Sequence, residues 1–199
     1  MIAGVILAAG ASRRLGRPKQ LLPLGGRPLA DWPLAALREF GPAQIVLVVG
    51  HEAGAVQAAL DLRGVTVVHN PRYAEGQSTS LQAGLGALDA GIEAAVIVTC
   101  DQPLISAAAL RELVAAFERT ALPLVATDYG DHLGVPLLIA RSMWPAALAI
   151  RGDQGARALL RDNPDRFAAV RNEAPEAAID VDTDEHYNEV RRVVEALDS

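Results

Sequence analysis

The chain's 199 residues are 51% hydrophobic and 21% charged, a length typical of one domain and an apolar content that excludes intrinsic disorder. A net charge of −6 with a pI near 5.2 leaves no broad basic surface for nucleic acid or anionic lipid, so an anionic ligand must be met by a local cluster of cations. The one cysteine, Cys100, excludes an intramolecular disulfide and any multi-cysteine metal centre. Apolar runs such as residues 45–49 and 94–98 fall far short of the roughly 20 residues a membrane span needs, and residues 1–5 lack the basic start of a secretory signal. The expectation is a cytoplasmic protein, folded as one domain over residues 1–199.

In chain order, short aliphatic runs alternate with stretches of helical spacing, which predicts an α/β domain with a mainly parallel sheet. Strands are predicted over residues 3–8, 45–49, 65–68, 94–99, 124–127 and 135–139, and helices over 29–40, 53–62, 80–90, 106–119, 155–161 and 185–196. Within 106–119, Leu110, Leu113, Val114 and Phe117 form one apolar stripe, and Ser106 is placed to cap its start. Between the first strand and the first helix, residues 10–28 carry four glycines and three prolines. Loops of that length in compact domains are functional or disordered. Of the 18 cationic side chains, Lys19 is the only lysine, and it falls in this loop.

The loop opens as Leu7-Ala8-Ala9-Gly10-Ala11-Ser12-Arg13-Arg14-Leu15-Gly16-Arg17-Pro18-Lys19. Small residues let backbone N–H groups approach a phosphate chain, and Arg14 and Lys19 can neutralise it. No Gly-Lys-Ser/Thr closes it and it is not G-x-G-x-x-G, which argues against an ordinary P-loop or dinucleotide site. Asp101 follows the apolar run 94–99, at the strand end where open α/β sheets place ligand-binding groups, and a hard oxygen there suits Mg²⁺. Gly76-Gln77-Ser78-Thr79-Ser80 precedes a predicted helix and can cap it, offer hydrogen bonds to a nucleoside, or do both. His51, His69, His132 and His186 lack zinc-binding spacing, Cys100 is expected to pack at the strand end, and Trp32 and Trp144 to serve the core or an interface.

Residues 7–19 resemble the LAAGxSxRxGxxK signature of MobA-like nucleotidyltransferases, and specifically of the molybdenum cofactor cytidylyltransferases. Asn70-Pro71, Gly76 to Leu81, Asp101-Gln102-Pro103, Gly134-Val135-Pro136, Gly152-Asp153-Gln154-Gly155-Ala156-Arg157 and Ile179-Asp180-Val181-Asp182-Thr183 extend the resemblance over nearly the whole chain. It implies a single nucleotidyltransferase domain, a three-layer αβα fold with a mainly parallel, Rossmann-like sheet of the nucleotide-diphospho-sugar transferase type. The implied reaction joins CMP from CTP to molybdenum-bound molybdopterin and releases pyrophosphate, with Mg²⁺ or Mn²⁺ as cofactor, a molybdoenzyme as client, and neither nucleic acid nor membrane as partner.

The same resemblance implies catalytic Arg14, Lys19 and Asp101, and a nucleotide pocket from Leu7, Ala8, Ala9, Gly10, Lys19, Gly76, Ser78, Ser80 and Asp101. It places Asp180 and Asp182 with Asp101 at the metal, Asp180 favoured, their alternation setting both on one sheet face. Gly152, Asp153 and Arg157 would meet the second substrate at a helix start. Guanylyl-transferring relatives carry a second glycine where Ala9 stands, which implies that its methyl group disfavours a purine. The alternatives are transfer of another nucleotide or to a sugar or polyol phosphate, a non-catalytic nucleotide-binding protein that delivers cofactor, and an oxidoreductase.

Overall fold

The aliphatic runs become neighbouring strands of one sheet, with the helical stretches laid over both its faces. The computed structural model describes residues 1–197. The order is β1 (Ile2–Ala8), a small hairpin β2 (Pro23–Leu24) and β3 (Arg27–Pro28), α1 (Asp31–Phe40), β4 (Gln44–Val49), α2 (Ala53–Ala59), β5 (Val65–His69), α3 (Gln77–Gly86) and β6 (Ala94–Thr99). The chain continues through α4 (Ala107–Thr120), β7 (Leu124–Asp128), β8 (Leu133–Ala140), α5 (Trp144–Ala149), α6 (Ala158–Asp162), β9 (Phe167–Arg171) and α7 (Asp184–Leu197).

The seven-stranded sheet runs β5-β4-β1-β6-β8-β7-β9, parallel except that β8 opposes both its neighbours. From β1 the chain builds outward through β4 to β5, then returns to place β6 on the other side of β1. The strand order therefore reverses between β1 and β6, and this switch point opens a crevice beyond their carboxyl ends.

Residue alternation sorts the strands' side chains into two layers. Val5, Leu7, Val48 and Ile97 pack with Leu81, Leu85, Trp144 and Leu159 from α3, α5 and α6. Ile6, Ala8, Leu47 and Val98 pack with Leu34, Leu37, Val56 and Leu110 from α1, α2 and α4. The three-layer architecture implied by the resemblance is the one observed. A third cluster joins Leu22, Leu24 and Leu29 to Val181, Tyr187, Val190 and Val194, and the Tyr187 hydroxyl donates to the Pro23 carbonyl. α7 thereby pins the β2–β3 hairpin, and with it the loop that precedes the hairpin, to the segment carrying Asp180 and Asp182.

Ser106 caps α4 as expected, its Oγ accepting from the Ala109 N–H at 3.1 Å. Other boundaries move. α3 begins at Gln77, so Ser78 and Ser80 lie inside its first turn and not before it, while the stretch from 155 becomes helical only at Ala158. β9, α5 and the β2–β3 hairpin were not expected. β9 is a five-residue edge strand held by its ladder to β7, and α5 has six residues, too few to show a helical period. Among the described residues no helix is long and apolar enough to cross a membrane.

Candidate active site

A cleft of about 610 Å³ opens at the switch point, lined from the ends of β1 and β6, the loop after β1, the start of α3, and the segments around Arg157 and Asp180. The loop is closed by its own hydrogen bonds. Ser12, with φ of 50°, offers its carbonyl to the N–H groups of Leu15 and Gly16 at 3.0 and 3.1 Å, and its Oγ accepts from the Lys19 N–H at 3.1 Å. Gln20, 1% exposed, donates to the Ala8 and Gly10 carbonyls at 2.8 and 2.9 Å, folding the loop back onto β1. Sequence reasoning missed Gln20; its signal was an amide set within an otherwise apolar stretch.

This closure delivers Lys19 to the end of β6. Its Nζ lies 2.6 Å from Asp101 Oδ2 and 2.7 Å from Asp182 Oδ1, and Arg14 Nη2 is 2.6 Å from the other Asp182 oxygen. The Val181 N–H donates to the Asp101 carbonyl at 2.9 Å while its side chain sinks into the α7 cluster, so Asp180 and Asp182 both line the cleft. The expectation that these two share a sheet face needs correction. Their segment belongs to no strand, and the anchored Val181 sets their direction.

The electrostatics separate the two carboxylates. Burial alone would raise Asp182, but hydrogen bonding and charge from Lys19, with Arg14 and His186 adding, hold it below the usual carboxylate range. Asp180 is raised, by burial first and by Asp101 next, with Arg157 opposing from 3.8 Å. Burial weakens the Lys19 ammonium, yet Asp101 and Asp182 together raise its pKa, so it stays charged. Burial and the adjacent Asp101 push the Cys100 thiol up to about 12, which leaves it inert, as its packed position led us to expect.

Asp101 Oδ1 is buried with no hydrogen-bond partner, and a buried polar atom left so in a native fold implies an ion or water. With Asp180 beside it in the cleft, its Arg157 counter-charge no nearer than 3.8 Å, these hard oxygens fit a divalent cation that completes its shell with phosphate and water. Among the described residues no three acidic, imidazole or thiol groups converge as a ready-made cage; Lys19 stands between two of the carboxylates.

At the other end of the cleft, Asn70 is buried and donates to Thr79 Oγ1 and Ser80 Oγ at 2.9 and 3.0 Å. Its Oδ1 accepts from the Arg72 N–H at 2.9 Å, so one side chain sets the entry into α3. Replacing Asn70 with alanine strands these buried groups and is expected to cost about 2 kcal/mol in denaturant unfolding; wild-type stability would deny it this part. Gly76, at φ 120°, lies against the Gly152 backbone, and the Ser78 N–H donates to the Gly152 carbonyl at 3.2 Å. Two segments assigned to different substrates are thus one assembly.

Of the residues expected at the site, Leu7, Ala9, Gly10, Arg14, Lys19, Gly76, Ser80, Asp101, Asp153, Arg157, Asp180 and Asp182 line the cleft. Ala8 does not; it packs in the opposite layer. Ser78 is buried, and Gly152 supports α3 from outside the lining. Trp144 is buried beneath the Arg141 guanidinium and Trp32 packs beneath Arg27, neither at the cleft.

The model of the MobA-like NTP transferase domain matches residues 4–169. The chain belongs to this family. Nicotine blue oxidoreductase of Paenarthrobacter nicotinovorans is 34% identical over 82% of this MobA-like chain and 83% of its own length. The crystal structure of a Mycobacterium sp. strain JC1 homologue of Mycobacterium tuberculosis Rv0371c superposes with a TM-score of 0.88 at 31% identity, covering 98% of both chains. Rv0371c from M. tuberculosis H37Rv, solved as a complex with manganese, gives 0.78 at 31% identity over 96% of this chain and 97% of its own. The fold and the signature loop therefore belong to a MobA-like nucleotidyltransferase.

Proposed function

We propose that the chain transfers CMP from CTP to molybdenum-bound molybdopterin, giving the cytosine dinucleotide form of the cofactor and pyrophosphate. The observation that carries this reading is the cluster of Lys19, Asp101 and Asp182 at the strand-order switch, beneath the loop after β1. A terminal phosphate oxygen of the acceptor attacks the α-phosphorus of CTP, and the bond to the β-phosphate oxygen breaks as pyrophosphate leaves. The attacking phosphate is already ionised at neutral pH, so the site needs no general base. Its work is positioning and charge neutralisation.

Arg14 and Lys19 meet the triphosphate as permanent cations, and Arg157, on the Gly134 side of the cleft, holds the acceptor phosphate with Asp153 and the Gly152 turn beside it. Asp101 and Asp180, with Asp182 adjacent, would hold Mg²⁺ or Mn²⁺, which when bound neutralises charge developing at the α-phosphate. The manganese complex of Rv0371c supports divalent metal use. The Leu7 to Gly10 backbone with Gly76 and Ser80 receives the nucleoside. A molybdoenzyme is the proposed client, and the protein's place the cytoplasm.

Cytosine selection is assigned to Ala9, which is 2% exposed and packs its methyl against Gly50, where a Cβ would come within 2.9 Å. The methyl cannot retreat from a larger base. Ala9→Gly is expected to improve GTP use relative to CTP by about tenfold, the scale of one methyl in a tight pocket. An unchanged kcat/KM ratio would move base selection elsewhere, the Gly76 to Ser80 segment first.

The deciding experiment follows pyrophosphate release from CTP and from GTP, separately, with Mg²⁺ and fresh molybdenum-bound molybdopterin, Asp101→Ala as the blank. Release with CTP alone, lost in the variant, supports the proposal. Release with another phosphorylated acceptor would redirect it, and silence despite CTP binding would favour a delivery protein. The name of the Paenarthrobacter relative motivates a second reading, an oxidoreductase, which NAD(P)H oxidation by the same preparation would reveal.

A further inference from the structure

We infer that Lys19 is an internal cation that holds the metal position of the resting protein, so that a divalent ion enters this cleft together with the nucleotide and not ahead of it. The inference rests on the nucleotidyltransferase reading of the site and adds an order of loading to it. Lys19 Nζ bridges Asp101 and Asp182 at 2.6 and 2.7 Å, and its side chain is only 12% exposed. Short contacts to two carboxylates at once are what a bridging cation makes.

The surrounding charges already balance. Arg14 and Lys19 pair with Asp182, Lys19 with Asp101, and Arg157 lies 3.8 Å from Asp180, three cations against three carboxylates. A free divalent ion arriving between Asp101 and Asp182 meets the ammonium in a partly desolvated place, where like-charge repulsion is poorly screened.

A triphosphate changes this balance by offering Lys19 and Arg14 anionic partners of its own. When they turn to it, Asp101 Oδ2 and Asp182 are released and join Asp101 Oδ1, which is buried and unpartnered already. The exchange needs no movement of the loop. The Lys19 backbone stays fixed to Ser12 Oγ while its four-carbon stem swings, and the Arg14 side chain is 71% exposed.

The probe is Mn²⁺, titrated into the full chain with the free ion read by electron paramagnetic resonance, alone and with a non-hydrolysable α,β-methylene analogue of CTP. Without nucleotide, Lys19→Met is expected to bind Mn²⁺ about tenfold or more tightly than wild type, because the competing charge is gone. Lys19→Arg keeps the charge and is expected to bind as weakly as wild type. The analogue should tighten Mn²⁺ about tenfold or more on wild type and much less on Lys19→Met. Equal Mn²⁺ affinity of wild type and Lys19→Met in the absence of nucleotide would overturn the inference. If Lys19→Met does not fold, wild type and Lys19→Arg decide: an analogue that leaves their Mn²⁺ affinity unchanged overturns it. Metal binding is read without turnover, so a chain that shows this pattern but transfers no CMP loses the functional proposal and keeps this one. Turnover with equal affinities does the reverse.

Discussion

Asp101→Asn is expected to lower CMP transfer about a thousandfold while the protein still unfolds cooperatively near its wild-type temperature. The amide keeps the shape of the side chain and removes the charge that serves two groups, the Lys19 ammonium at 2.6 Å and the cation that the unpartnered Oδ1 is suited to hold. Electrostatic groups aimed at charge that develops in the transition state account for about 10²–10³ each in rate, and Asp101 would hold the cation placed there. Stability is shielded because Lys19 keeps Asp182 as a partner at 2.7 Å and is not left as a lone buried charge, the situation that makes broken ion pairs costly. Single-turnover transfer at saturating CTP gives the chemical step, and thermal unfolding checks the fold. Turnover within about tenfold of wild type would remove Asp101 from the reaction's charge balance.

What the sequence disclosed depended on whether a feature was local. β1 and β6 were legible because central strands, buried on both faces, read as aliphatic runs, and the loop after β1 because small residues and paired cations directly follow such a run. Ala8 facing away was also legible in principle. Residues 7 and 9 share one side of a strand and residue 8 takes the other, an alternation that a motif read as one block conceals. Ser78 and Ser80 are similar, since two positions apart on a helix point in nearly opposite directions, so only one can face the cleft. The roles of Gln20 and Asn70 were hidden for another reason: the resemblance marked Asn70 and an apolar setting could have marked Gln20, but their partners are backbone and hydroxyl groups that only the fold brings near. The same holds for the ion pairs of Lys19, whose partners stand 82 and 163 positions along the chain.

The seam between the two substrate halves yields the other large effect: Gly76→Ala is expected to destabilise the protein by about 3–5 kcal/mol, a fall of about 10 °C in Tm, and to raise KM for both substrates. Gly76 has φ 120° and ψ 169°, a backbone region open essentially to glycine, where strain costs about 1–3 kcal/mol. A Cβ there would also stand 2.6 Å from the Asp153 nitrogen and closer still to the Gly152 carbonyl carbon and oxygen. These are backbone atoms with no rotamer to escape into, so the two segments must separate. Separation stretches the hydrogen bond from the Ser78 N–H to the Gly152 carbonyl and shifts Asp153 and Arg157 against Ser80, which all line the one cleft. Gly86→Ala in the same helix is the control. A Cβ there meets nothing within 4 Å, and the change is expected to be neutral or slightly stabilising by restricting the unfolded chain. If Gly76→Ala melts with wild type and keeps both KM values, the close approach of α3 to Gly152 is not what aligns the nucleotide with its acceptor.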